Sequence, residues 1–146
     1  MTAEPADNPT FNLQLPAELE YLPTFLDHVR QAIEVAGLAD AHGTRLELAV
    51  EEALVNVFNY AYAGQNHPGA VTCQAIVAEG DLTVEIIDEG PPFDPLARPD
   101  PDTTLELDQR QPGGLGIFMI QKLADEVGYR REDSRNVLLI RMRKAR

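Results

Sequence analysis

The chain has 146 residues, of which 44% are hydrophobic and 25% are charged, values typical of a globular domain. No apolar run approaches the ~20 residues that a membrane helix requires, so we expect no transmembrane segment. The net charge of −12 repels polyphosphate backbones, so we also expect no general binding of nucleic acid.

The N-terminal residues 1–9 are polar and contain two prolines, which predicts a flexible arm ahead of a single domain over residues 10–146. This arm has neither the basic region nor the apolar core of a secretory signal. The only cysteine, Cys73, cannot form an internal disulfide, and it lacks the partners for a zinc site. These features fit a cytoplasmic protein.

The first half of the chain begins with an alternating segment, which predicts a strand over residues 10–15. Apolar residues at helical spacing then predict a helix between residues 16 and 35, which Pro23 divides into a turn and a helix and Gly37 ends.

A second helix is marked by a capping box, in which Thr44 precedes Glu47 by three residues; we expect it to start there and to run to about Tyr62. Two strand-like segments, 70–78 and 82–88, follow and predict an antiparallel hairpin.

The second half opens with residues 91–112, which contain six of the eleven prolines and no sustained apolar period. A loop of this length is either a functional lid or a linker. Glycines then open a third helix within residues 113–128, and strands follow near 128–132 and 136–143, joined by a turn at 133–136.

This order of elements predicts an α+β fold, a two-layer α/β sandwich with a mainly antiparallel mixed sheet covered on one face by helices. A Rossmann fold is excluded because Pro16-Ala17-Glu18 stands where its Gly-rich turn would follow the first strand. The segment 130–146 holds seven basic and two acidic residues. We interpret it as an edge strand protected by Arg141, Arg143 and Lys144, with a local anion site as the alternative.

Three segments carry residues suited to chemistry, and the first is the second helix. Glu52 and Asn56 lie one turn apart on the same face, and Asn59 lies within ~20° of Glu52 around the helix axis. Asparagine oxygen is a suitable ligand for Mg²⁺, and a carboxylate one turn away can accept a proton. The alternative is a solvated helix face.

The second segment is Ile86-Ile87-Asp88-Glu89-Gly90, where a carboxylate ends an apolar strand. Asp88 can accept a hydrogen bond from an adenine amino group, and Gly90 lets a ring approach the backbone. A simple turn is the alternative, because Asp, Gly and Pro are the usual turn residues.

The third segment is Gly113-Gly114-Leu115-Gly116 at the start of a helix, where free backbone N–H groups favour an anion such as phosphate. The alternative is a flexible hinge. No Walker sequence and no protein-kinase signature is present, so those two phosphate-binding arrangements do not apply.

Taken together and in this order, AVEEALVNVFNYAY, DEGPPFDP and GGLGIFMIQKLADEV resemble the N, G1 and G2 boxes of the Bergerat-fold (GHKL) ATPases, which include gyrase and histidine kinases. The likeness spans about residues 10–143 and is greatest to single-domain anti-sigma-factor serine/threonine kinases. It implies a Bergerat ATP-binding fold, the cofactors ATP and Mg²⁺, and residues 91–112 as the ATP lid.

The resemblance also implies roles for individual residues. Asn56 matches the magnesium-binding residue, Glu52 the general base and Asp88 the adenine contact. The remaining residues expected to bind nucleotide are Asn59, Gly90, Gly113, Gly114, Leu115 and Gly116. Two positions depart from the family pattern: Pro92 replaces a G1-box glycine, and Pro112 stands where some members carry an arginine, with Arg110 two residues earlier as the candidate substitute.

The resemblance further implies an anti-sigma factor that phosphorylates an STAS-domain antagonist and also binds a sigma factor. Members are often homodimers, although the sequence contains no clear dimer seam. Two other hypotheses stay open: an ATP-binding module that sequesters a partner with little phosphoryl transfer, and an accessory domain of a phosphatase or two-component pathway.

Overall fold

The computed structural model describes residues 9–38, 40–66, 69–78, 81–93 and 114–144. Two long helices follow the first strand, a hairpin comes next, and a third helix precedes a second hairpin. In chain order the elements are β1 (Thr10–Pro16), a 3₁₀ turn (Leu19–Tyr21), α1 (Leu22–Ala36), α2 (Asp40–Tyr60), β2 (Ala70–Ala78), β3 (Asp81–Asp88), α3 (Gly114–Leu123), β4 (Glu126–Glu132) and β5 (Arg135–Arg143).

The five strands form one sheet in the order β1-β2-β3-β5-β4, and every pairing in it is antiparallel. Alternate residues of the strands pack with α1 and α2 into a single apolar core. Polar residues such as Gln14, Gln74 and Glu85 line a groove on the strands. The α+β sandwich predicted from the order of elements is therefore confirmed.

The start of α1 agrees with its sequence signals. A 3₁₀ turn precedes the helix, and Pro23 lies in its first turn, where a missing N–H breaks no helical hydrogen bond. Gly37 ends the helix in the left-handed region, with φ of 69°, and its N–H donates to the carbonyls of Ile33 and Glu34. Both the interruption and the stop are confirmed.

Helix α2 begins at Asp40, so the prediction that a capping box at Thr44 starts it was wrong. The reason is tertiary packing against α1. A Cβ at Gly43 would lie 2.8 Å from Cγ2 of Ile33, so only glycine allows the two helices this approach. Gly43 is the buried residue of this first turn, and its packing on α1 favours a helix start ahead of the local capping signal.

The edge-strand interpretation of the basic C-terminal segment was also wrong. β5 lies between β3 and β4, so β1 and β4 are the edges. The arginines contact neighbouring elements: Arg141 Nε donates to Thr83 Oγ1 at 3.1 Å, and Arg141 Nη1 lies 3.2 Å from Glu126 Oε1.

The third helix ends at Leu123, earlier than the predicted range of 113–128. Residues from Glu126 onward form β4, in which Val127 pairs with Ile140 and Gly128 with Leu139 of β5. Pairing with β5 satisfies the backbone of a segment whose glycine is a poor helix former.

Cys73 is buried in β2, and burial raises its thiol pKa to about 12, so it stays protonated at neutral pH. Within the described ranges, no helix combines the length and apolarity needed to cross a membrane.

Candidate functional site

A cavity of about 140 Å³ lies between the C-terminal half of α2, the C-terminal end of β3, the middle of β4 and the start of β5. Its walls are mostly apolar and carry a few polar groups, a composition suited to a flat ring with a few hydrogen-bonding atoms. The lining residues are Ala53, Asn56, Val57, Tyr60, Ala61, Ile86, Asp88, Pro91, Pro92, Phe93, Tyr129, Asn136 and Leu138.

Asp88 ends β3 and is the only acidic residue that lines this cavity among the described residues. Its side chain is buried, and Oδ1 accepts two hydrogen bonds, from the Gly90 N–H at 2.9 Å and from Asn136 Nδ2 at 3.0 Å. A buried carboxylate is costly unless donors compensate it, and these two donors do so. No described residue donates a hydrogen bond to Oδ2, which leaves this oxygen for a ligand.

Asn136 is the most highly connected polar side chain of the site, and sequence reasoning missed it. It lies directly opposite Asp88 in the β3–β5 register. Its Nδ2 also donates to the Pro91 carbonyl at 2.9 Å, and its Oδ1 accepts from Tyr129 Oη at 2.6 Å and from the Phe93 N–H at 3.2 Å. These partners fix the orientation of the amide.

The sequence predicted a turn over residues 133–136, which placed Asn136 in a turn and not in a strand beside Asp88. In the structure the turn is the two residues Asp133 and Ser134, with φ of 53° and 64°, and β5 starts at Arg135. A two-residue turn with both φ values positive is the usual hairpin connection. The available signal was alternation, since Asn136 continues the core-facing series of Leu138, Ile140 and Met142.

Gly90 follows Asp88 where the backbone of β3 approaches the end of α2. A Cβ at this position would lie 2.5 Å from the Ala61 carbonyl oxygen and 3.0 Å from Asp88 Oδ1. The sequence predicted that Gly90 lets a ligand ring approach the backbone; the contact seen here is with a protein group, the Ala61 carbonyl. The Gly90 carbonyl accepts a hydrogen bond from Arg131 Nη1 at 2.8 Å.

Tyr62 joins the segment after α2 to two strands. Its hydroxyl donates to the Ala70 carbonyl at 2.5 Å and accepts from the Glu89 N–H at 2.8 Å. Burial raises the pKa of Tyr62, so the phenol remains protonated and keeps its donor at neutral pH. These bonds fix the start of β2 and the end of β3 beside the cavity.

The candidate residues on α2 occupy different positions relative to the cavity. Asn56 lines it. Glu52 is half-buried one turn earlier, beyond the lining residues, and Asn59 is exposed and outside the lining. Tyr60, one turn after Asn56, forms part of the wall although its side chain is 45% exposed.

The Gly-rich segment coincides with the start of α3. Gly114, Leu115 and Gly116 are the first three residues of this helix. Gly113, Arg110 and residues 94–112 of the predicted lid lie outside the described residues.

The polar side chains at the cavity bear on how a magnesium ion could bind. Among the described residues, no three His, Cys, Asp or Glu side chains form a group that could hold a metal. Mg²⁺ does not need such a cage, because it commonly binds through one or two protein oxygens together with substrate phosphates. Asn56 lines the cavity and its amide can supply one such oxygen, so the residues present fit this mode of binding.

The chain matches the family described as "Histidine kinase-like ATPase domain" over residues 15–144. It is 31% identical over 119 residues to the serine-protein kinase RsbW of Listeria monocytogenes serovar 1/2a, covering 79% of this chain and 75% of the relative. It is 29% identical over 112 residues to the serine/threonine-protein kinase BtrW of Bordetella bronchiseptica, covering 74% and 78%.

Solved structures agree on the fold. The crystal structure of the RsbU and RsbW domains of Rv1364c from Mycobacterium tuberculosis matches with a TM-score of 0.67 at 17% identity. The match covers 94% of this chain and 33% of that one. The histidine kinase domain of the blue-light-activated kinase EL346 from Erythrobacter litoralis matches with a TM-score of 0.51, also at 17% identity, over 88% of this chain and 61% of that one. The chain therefore belongs to the histidine kinase-like ATPase domain family, and within it is similar to RsbW serine-protein kinases.

Proposed function

We propose that this protein is a cytoplasmic ATP-dependent serine/threonine kinase and anti-sigma factor that phosphorylates an STAS-domain antagonist and binds a sigma factor. The observation that carries the proposal is the cavity beneath α2, which Asp88 and Asn56 both line, in a chain 31% identical to a serine-protein kinase RsbW.

The cavity suits the base of the nucleotide. Its apolar walls, among them Val57, Ile86 and Leu138, can pack on the faces of an adenine ring. Asp88 can accept a hydrogen bond from the exocyclic amino group, because a carboxylate is an acceptor and adenine presents a donor there. Adenine recognition therefore depends on Asp88.

The phosphates lie outside the cavity in this proposal. A volume of about 140 Å³ is below the ~300–1,000 Å³ of pockets that enclose whole ligands. From the cavity towards the N-terminus of α2, Asn56 comes first and Glu52 lies four residues, or ~6 Å, further. The phosphate chain follows this direction, with the first N–H groups of α3 as further donors.

Each polar residue then has a chemical task. Asn56 holds Mg²⁺, which when bound supplies charge neutralisation on the phosphates. Glu52 accepts the proton of the serine hydroxyl that attacks the γ-phosphate. Glu52 lies one turn from Asn56 on the same face, which suits a base that acts at the phosphate end of the nucleotide.

A second candidate function is an ATP-binding module that sequesters its partner without transferring phosphate. The observation that favours it is Pro112 immediately before the Gly-rich segment, where some relatives of this type carry arginine. In that case ATP binds but no phosphoprotein forms.

The test uses radiolabelled ATP with each STAS-domain protein encoded beside this gene. We expect wild-type protein to label one of them. Glu52→Ala should bind ATP normally but transfer phosphate ~10²–10⁴-fold more slowly, because a general base contributes about that much. Asn56→Ala should lose magnesium-dependent ATP binding.

Glu51→Ala is the matched control, since Glu51 precedes Glu52 on the same helix but points ~100° away. It should label the partner at the wild-type rate. Transfer by Glu52→Ala at the wild-type rate would exclude the assigned base. ATP binding by wild-type protein without labelling of any STAS protein favours the sequestering module.

A further inference from the structure

We infer that Asn136 is a positioning residue that makes the site selective for adenine over guanine. It does so by occupying one oxygen of Asp88. This inference rests on the proposed function, because it requires a purine base in the cavity that Asp88 and Asn136 both line.

One oxygen of the Asp88 carboxylate is already fully engaged within the protein. Oδ1 already accepts two donors, the Gly90 N–H at 2.9 Å and Asn136 Nδ2 at 3.0 Å. One carboxylate oxygen has about two lone-pair sites, so Oδ1 has no capacity left. Asp88 therefore meets a base with a single free oxygen, Oδ2.

Adenine and guanine present different hydrogen-bonding groups to a carboxylate. Adenine presents one exocyclic amino donor at its 6-position and needs one acceptor oxygen. Guanine presents a carbonyl oxygen there, which a carboxylate repels, and its ring N–H and 2-amino group together match a carboxylate only when both oxygens are free. A carboxylate with one occupied oxygen thus favours adenine.

The Asn136 side chain is held in one orientation by its own hydrogen bonds. The residue is 7% exposed, and its Oδ1 is held by Tyr129 Oη at 2.6 Å and by the Phe93 N–H at 3.2 Å. Its Nδ2 also donates to the Pro91 carbonyl at 2.9 Å. With both ends of the amide engaged, Asn136 cannot turn away from Asp88, and the carboxylate keeps one orientation.

The test measures ATP and GTP binding in parallel by calorimetry, with magnesium present, for wild type and two variants. Asn136→Ala frees Oδ1 from one donor and lets the carboxylate rotate, so the ratio of GTP to ATP dissociation constants should fall by roughly tenfold or more. Arg131→Ala is the control, because Arg131 donates to the Gly90 carbonyl but not to Asp88. It should leave that ratio unchanged, even if both affinities fall.

The outcomes separate this inference from the function on which it rests. If wild-type protein binds neither nucleotide, the proposed function fails and the inference with it. If wild type prefers ATP and Asn136→Ala keeps the same ratio, the inference alone is wrong. An equal fall in the ratio of GTP to ATP dissociation constants in both variants also overturns the inference. Loosening of the Gly90 backbone would then explain the change in selectivity.

Discussion

Gly90 shows how a single residue decides the shape of the site. Its φ is not positive, so backbone conformation does not require glycine there. The requirement comes from space, since the Ala61 carbonyl oxygen occupies the volume of a side chain. This contact brings the end of α2 against the end of β3, the two elements that form the cavity walls.

Gly90→Ala should therefore destabilise the fold by about 1–3 kcal/mol, because a Cβ 2.5 Å from a backbone oxygen forces the backbone to move. ATP affinity should fall as well, since the added Cβ would also lie 3.0 Å from Asp88 Oδ1. Urea unfolding and nucleotide titration measure the two effects.

Gly128→Ala is the control for this substitution. A Cβ at Gly128 would meet nothing closer than Leu139 Cβ at 4.0 Å, so stability should stay equal or rise slightly. Equal unfolding free energies for the two variants would contradict the role given to Gly90.

The position of α2 depends on its contact with α1. Arg30 on α1 forms an ion pair with Glu47 on α2, with Nε 2.8 Å from Oε1, but exposed pairs of this kind contribute little. The packing of Gly43 against Ile33 constrains the distance between the two helices more tightly. α2 carries Glu52 and Asn56, so this contact also sets where these residues lie.

Gly43→Ala should destabilise the protein by about 1–3 kcal/mol, because the new Cβ would lie 2.8 Å from Ile33 Cγ2. In an Ile33→Ala background the clash disappears, and the same substitution should stabilise by about 1 kcal/mol through helix propensity. A double-mutant cycle by chemical denaturation measures the change of sign. The same sign in both backgrounds would show that packing at this contact does not control α2.

Helices and strands could be predicted where the sequence signal for them is local. The stop at Gly37, the interruption at Pro23 and the β2–β3 hairpin follow from backbone conformation and alternation, and all were confirmed. The start of α2 and the end of α3 were not, because contacts with Ile33 and with β5 outweigh local propensity.

The site depends on the order of strands in the sheet, which no local sequence pattern contains. β5 follows β4 in the chain but lies beside β3, and this crossing brings Asn136 opposite Asp88. Asp88 and Asn56 could be identified from the sequence because each lies in a recognisable motif. Asp88 is the last residue of β3, and Asn56 lies on α2. Asn136 was missed because alternation indicates only that it faces the core, whereas its role depends on Asp88, a partner 48 residues away.

ATP binding as proposed requires the cavity between α2 and the sheet to hold the base of the nucleotide. The most direct test is a crystal structure with magnesium and a non-hydrolysable ATP analogue. It should place the adenine between Val57 and Leu138, with its amino group on Asp88 Oδ2 and Asn56 at the metal. A nucleotide bound elsewhere while this cavity stays empty would contradict its role as the base-binding site.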